Sequence, residues 1–212
     1  MKHILLLSAA LSLALPSAAS AAVTLTSEPG TETYVGPTPT FDFEVPTPEF
    51  TGGTIKNEND GTGARPFGAT GKYASVGPGA GTPGFLDLSA FGDIDFISFI
   101  WGSIDPFNTL DVLGAGDVVL GSFTGTSVVA AANGDQSSPA TNRLVKLTFT
   151  DADRSNVTRL RFTSSGNAFE TDKFAIGAVP EPTTWLLMLL GMAGIGFSMR
   201  RKEKQTLRVR FA

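Results

Sequence analysis

The sequence predicts an all-β protein, an antiparallel, jelly-roll-like β-sandwich. Three observations predict it. Short apolar–polar alternations recur between residues 22 and 178. Gly, Pro, Asn and Asp interrupt them at short intervals. No stretch in that range keeps a long helical period. About ten short strands with turn-rich links bury their apolar faces best by stacking as two sheets.

The elements follow in order. Ala22 to Thr26 is the first predicted strand. Thr40 to Val45 alternates Phe41, Phe43 and Val45 with Asp42 and Glu44, and predicts a second. Pro46 to Pro66 reads as a long loop, with a turn at Asn57-Glu58-Asn59-Asp60-Gly61. Lys72 to Val76 and Gly84 to Leu88 are strands flanking the Gly/Pro-rich loop that begins at Gly77. Ile94 to Trp101 is apolar enough for a central strand covered on both faces. Thr109 to Leu113 and Val118 to Phe123 come next. Arg143 to Phe149 sets Val145, Leu147 and Phe149 on one face, and Thr158 to Thr163 sets Leu160 and Phe162 opposite Arg159 and Arg161. Phe169 to Ala178 closes the domain.

Both ends of the chain depart from this pattern. Lys2, the apolar run Ile4 to Leu15, Pro16 and the small residues Ala19-Ser20-Ala21 form a secretory signal peptide, residues 1–21. The ectodomain is 22–178. Residues 179–204 open with Val179-Pro180-Glu181-Pro182 and Trp185, continue with the apolar run Leu186 to Met199, and stop at Arg200-Arg201-Lys202. That order suits a single transmembrane helix with its aromatic anchor outside and its basic cluster inside. The run is short, since a span needs about 20 apolar residues. Gly191, Gly194 and Gly196 would let another helix approach closely. Residues 205–212 form a basic tail.

Composition excludes several chemistries. Cysteine is absent, and the one histidine, His3, lies in the signal peptide. The mature protein therefore lacks the groups for Ser-His-Asp or Cys-His catalysis and for His-ligated zinc. Seven of the 16 Lys and Arg lie in the two tails, with two of the 20 acids. The ectodomain keeps nine bases against 18 acids, a net charge of −9. Such a surface repels nucleic acid, whose phosphates need bases, and favours solubility or divalent cations.

Two groups of residues are candidate sites. Trp101-Gly102-Ser103-Ile104-Asp105-Pro106-Phe107-Asn108 brings a strand into a turn. Trp101 is either a sugar-stacking platform, with Asp105 and Asn108 as hydroxyl partners, or a core residue at a strand end. Glu170 and Asp172 share a face of the last strand. They are either a solvated acidic edge or, if buried, a pair that needs Ca²⁺ or a base such as Lys173 beside it. A glycosidase would need two facing carboxylates at a set separation, and no motif marks such a pair.

The C-terminal arrangement, Pro180-Glu181-Pro182-Thr183-Thr184-Trp185 followed by the apolar run and Arg200-Arg201-Lys202, resembles the PEP-CTERM sorting domain in its PEPxxWA variant. Leu186 stands where that variant commonly has Ala. The resemblance implies recognition by an exosortase, a membrane transpeptidase-like enzyme that cuts near Pro-Glu-Pro, and a Gram-negative cell with extracellular polysaccharide. The run from Trp101 to Asn108, with Ser165 to Asp172, also resembles Npun-type exosortase-dependent surface proteins. The reading that follows is an exported, non-enzymatic surface or matrix protein associated with exopolysaccharide and biofilm. It passes through the inner membrane and has an exosortase and polysaccharide as partners. The alternatives are a lectin-like module with structural Ca²⁺ and an Asp/Glu-dependent glycosidase.

Overall fold

The computed structural model describes residues 23–178 and 182–200, the latter with side chains from Leu186 on. The predicted signal peptide, Val179, Pro180, Glu181, the Trp185 side chain, Arg201, Lys202 and the basic tail lie outside the described residues.

Eleven strands form two antiparallel sheets among the described residues. They are β1 (Val23–Pro29), β2 (Phe50–Thr51), β3 (Thr54–Lys56), β4 (Tyr73–Val76), β5 (Gly84–Asp87), β6 (Ile94–Gly102), β7 (Asn108–Gly114), β8 (Val119–Thr124), β9 (Arg143–Phe149), β10 (Val157–Ser164) and β11 (Phe169–Ala178). One sheet has the order β1-β9-β6-β11-β4-β3, the other β2-β5-β10-β7-β8. A single helical turn, α1 (Gly125–Val128), follows β8. Thr124 caps it, its hydroxyl accepting from the Ser127 N–H.

Period-2 patterning builds the core. Ile97, Phe99 and Trp101 on β6, Val145 and Leu147 on β9, and Leu160 and Phe162 on β10 all turn inward and are buried. Arg159 and Arg161 face out as their alternation predicts. Phe99 stacks on Phe174 with centroids 4.8 Å apart, and Phe162 meets both Phe169 and Phe174 edge-on. β6 lies between β9 and β11 and is almost wholly buried, the central strand its apolar run predicts.

The alternation Thr40 to Val45 does not make a strand. Phe43 adopts φ 62°, which breaks the extended run. Only an isolated bridge joins Phe41 to Phe174. Burial of Phe43 against Phe50 and Phe174 outweighs the local pattern. The predicted loop 46–66 holds two short strands, β2 and β3. Each is a peripheral partner in its sheet, too short to show a period.

Helix α2 (Pro182–Arg200) follows the last strand. Its 19 residues rise about 28 Å at 1.5 Å each. Leu186, Leu187, Met188, Leu189, Leu190, Met192, Ile195, Phe197 and Met199 are all exposed, so this apolar segment is not part of the sandwich core. Among the described residues, no helix is long and apolar enough to cross a membrane. The three glycines and Ser198 dilute the apolar run.

Candidate functional site

The two runs that stand out in the sequence are hydrogen-bonded neighbours. β6 and β11 pair antiparallel, with Trp101 opposite Thr171 and Gly102 opposite Glu170. Inward, Trp101 is fully buried and stacks on Phe169, with centroids 4.2 Å apart and planes 12° apart. The sugar-platform reading of Trp101 is therefore corrected to the core reading, because its ring is sealed between the sheets. Asn108 is sealed too. Its Nδ2 donates to Ala168 O at 3.3 Å, and its Oδ1 accepts from Ser164 Oγ at 2.8 Å. Asp105 is half-buried in the turn, where its carbonyl accepts from Asn108 N at 3.2 Å. Desolvation holds the Asp105 carboxyl above its ordinary value. Trp101, Asp105 and Asn108 thus lie near one another but present no shared surface to a sugar.

Outward, Glu170 and Asp172 do share a face. The expectation of a solvated acidic edge fails, because the two are only 2% and 0% exposed. Thr31, Tyr34 and Val35 from the segment after β1, and the loop between β3 and β4 through Glu58, Thr62 and Ala64, cover this side of the six-stranded sheet. Glu170 Oε1 accepts from Ala64 N at 3.0 Å, and Oε2 accepts from Ser103 Oγ at 2.6 Å. Gly102 makes room for this cover, since a Cβ there would stand 2.7 Å from Pro66 Cγ. Asn142 Oδ1 accepts from Ser103 N and from Phe67 N, both at 2.9 Å. Its Nδ2 donates to the Asp135 and Ser138 carbonyls. Asn142 is a hub that the sequence does not advertise: a polar residue at a strand start looks like any other.

A β-bulge sets the environment of Asp172. Between Asp172 and Ala175 the register with β6 slips, and Lys173 takes φ 57°. The bulge restores Phe174 to the core. Asp172 Oδ1 accepts from the Lys173 backbone N–H at 2.7 Å. Oδ2 has no hydrogen-bond partner among the described residues, and Lys173 Nζ stands 3.8 Å from it. Burial raises both carboxyls to about 7. The Glu170 hydrogen bonds and the Lys173 cation pull the other way; Asp105 adds to the rise at Glu170, and Asp42 and Glu44 add to it at Asp172.

Lys173 is the base that the sequence offered to this pair. Among the described residues no group of three or more His, Asp or Glu side chains is placed to hold a metal ion. Other acids serve ion pairs: Asp111 with Arg161 at 2.9 Å, Asp95 with Arg154 at 2.9 Å, and Asp117 with Arg159, whose guanidinium lies over Phe85.

The last strand ends at Ala178, where the sorting signal of the sequence begins. A family model described as the PEP-CTERM protein-sorting motif matches residues 178–202. The chain carries a PEP-CTERM motif. No curated protein matches the chain, and no solved structure does. The PEP-CTERM segment spans the end of β11 and all of α2. It marks an exported protein sorted at the membrane by an exosortase and destined for the surface.

Proposed function

We propose that this chain is a non-enzymatic component of the cell exterior, a jelly-roll sandwich delivered by its PEP-CTERM segment into extracellular polysaccharide. The carrying observation is the position of the motif, which starts where the sandwich stops. α2 is the segment that would hold the chain at the inner membrane during sorting: its apolar side chains are exposed, although by itself it falls short of the length and apolarity of a full span. Removal of residues 1–21 and cutting near Pro180-Glu181-Pro182 would leave a domain without either apolar end.

Eight strands, β4 to β11, support the jelly-roll reading. They are ordered β4-β11-β6-β9 in one sheet and β5-β10-β7-β8 in the other, each chain crossover leading from sheet to sheet except β7 to β8. Two features support the non-enzymatic reading. The mature chain lacks Cys and His. The two carboxyls with strongly raised pKa lie beneath loops, out of reach of a substrate. The polysaccharide association rests on the destination alone.

Intact mass of the protein from cells with and without the exosortase tests the proposal. A species ending near residue 180 should form only with the enzyme, and Glu181→Ala should prevent it. Equal full-length masses in both strains would refute it.

A further inference from the structure

The segment between β1 and β2 crosses the outer face of the six-stranded sheet on few attachments. Thr40 N and Phe41 N both donate to Phe174 O, at 2.6 and 3.0 Å, and Phe174 N returns a bond to Phe41 O at 2.8 Å. Thr40 Oγ1 accepts from Ile176 N at 3.1 Å. Phe43 then anchors the chain in the core. Upstream of Thr40 the segment forms no ladder, and it roofs a cavity of about 50 Å³. Thr31, Tyr34 and Val35 form the roof, and Ile100 and Leu144 are on the floor.

Asp172 sits beside that floor, opposite Ile100 across the β6–β11 ladder. Its Oδ2 is buried without a hydrogen bond among the described residues, and so is Ser98 Oγ. The Tyr34 phenol of the roof lies near Asp172; burial and then that carboxyl raise its pKa, while its O–H is donated to Pro37 O at 2.6 Å. The charged groups around Asp172 are few. The segment itself contributes Asp42 and, past the anchor, Glu44, both repelling. β11 contributes Lys173, attracting, and Glu170 two residues away. The loop before β4 contributes Lys72, which is occupied by Glu44: its N–H donates to Oε1 at 2.8 Å and its Nζ to the carbonyl at 3.3 Å.

We propose that residues 31–42 form a strap latched by the proton on Asp172, so that the strap closes over the sheet in acid and opens as pH rises. An ionised Asp172 under the closed strap is shut off from bulk solvent, has no hydrogen-bond donor for Oδ2 among the described residues, and is repelled by Asp42 and Glu44, with the Lys173 ammonium at 3.8 Å to offset them. Opening gives it water. A neutral Asp172 carries an O–H and can donate to a neighbouring oxygen, so the closed state keeps it at no such cost. Opening about the Phe43 anchor uncovers Ile100 and Leu144. The strap thereby exposes apolar surface in one pH range and hides it in another. This goes beyond the sorting reading and holds in whatever compartment the domain resides.

Amide protection factors of Thr40 and Phe41 in the full chain, measured by NMR from about pH 5 to about pH 8.5, test the latch. Protection should fall at least about tenfold across that range and level off above the value of about 7 that burial gives Asp172, so that the midpoint of the fall lies below it. Asp172→Asn cannot ionise and should keep protection high throughout. Asp42→Asn removes a repelling charge and should move the midpoint to lower pH. Lys173→Met removes the attracting one and should move it higher. Flat protection in the unaltered chain, or unshifted midpoints in these last two variants, would overturn the proposal. The opposed shifts decide the matter even if Asp172→Asn does not fold.

Discussion

The Ser103 hydroxyl donates to Glu170 Oε2 across 2.6 Å, joining residues 67 apart in the chain inside a buried polar layer. With the Ala64 N–H on the other oxygen, the carboxyl ties the end of β6, the start of β11 and the loop above them into one unit. The adjoining pair Trp101 and Phe169 does the same on the opposite face of these strands. One short stretch of ladder thus carries both the closest aromatic stack among the described residues and a buried acid bonded through both of its oxygens.

Removing the hydroxyl should expose the cost of that layer. Ser103→Ala leaves a buried carboxyl oxygen without its donor, and should destabilise the full chain by about 1–3 kcal/mol. Urea unfolding measures it. Combined with Glu170→Gln, the loss should be less than the sum of the two single losses, because the residues share one bond. Additive losses would show that the contact contributes nothing.

Phe169→Ala removes the partner of Trp101 and one of the rings against Phe162. The expected loss is about 3–5 kcal/mol. Near-UV circular dichroism should weaken as the indole loses its fixed stack, while far-UV spectra keep their β character.

Gly102→Ala tests the close cover of the sheet. The added methyl meets Pro66 at 2.7 Å from Cγ and 3.0 Å from Cα, so a backbone segment must shift. A loss of about 1–3 kcal/mol is expected. Protection should drop at Ala64, whose N–H bonds Glu170, before it drops in β9. Equal loss at both positions would argue against local lifting.

The pH dependence of stability follows from the signs of the shifts. Glu170 and Asp172 hold their protons up to about 7 in the fold. Unfolded, they release them near about 4. Their contribution is full below about pH 4 and is lost as pH rises through about 7. Asp60, Asp87, Asp117 and Asp135 are shifted down by hydrogen bonds and ion pairs, Asp60 to about 2. Their contributions run the other way and are lost as pH falls, but they are exposed and screened. Tm should therefore decline between about pH 5 and about pH 8. Glu170→Gln with Asp172→Asn should flatten the decline. A Tm that climbs over this interval would show that the buried acids ionise without penalty.

How much was legible depended on the distance over which each feature is specified. The alternation in Arg143–Phe149 and Thr158–Thr163 is local and regular, and those strands stand where it puts them. The alternation from Thr40 to Val45 is equally regular and misleads, because the pull on Phe43 comes from Phe50 and Phe174, one of them far along the chain. The acidic pair on one face of β11 was legible, but its burial was not. Its cover comes from loops whose composition reads as exposed. Nothing near Asn142 in sequence marks it as a hub, since its partners are Phe67, Ser103, Asp135 and Ser138.

By itself the sequence determined the β class, the absence of Cys and of any His beyond His3, and the sorting motif, all properties of composition or of contiguous residues. Tertiary structure alone decided that Trp101 faces Phe169 instead of solvent, and that Glu170 and Asp172 lie under cover. Those outcomes depend on which strands become neighbours and which loops fold over them. Pairing across a hundred residues is settled by the shared burial of many side chains, and no short window of sequence contains it.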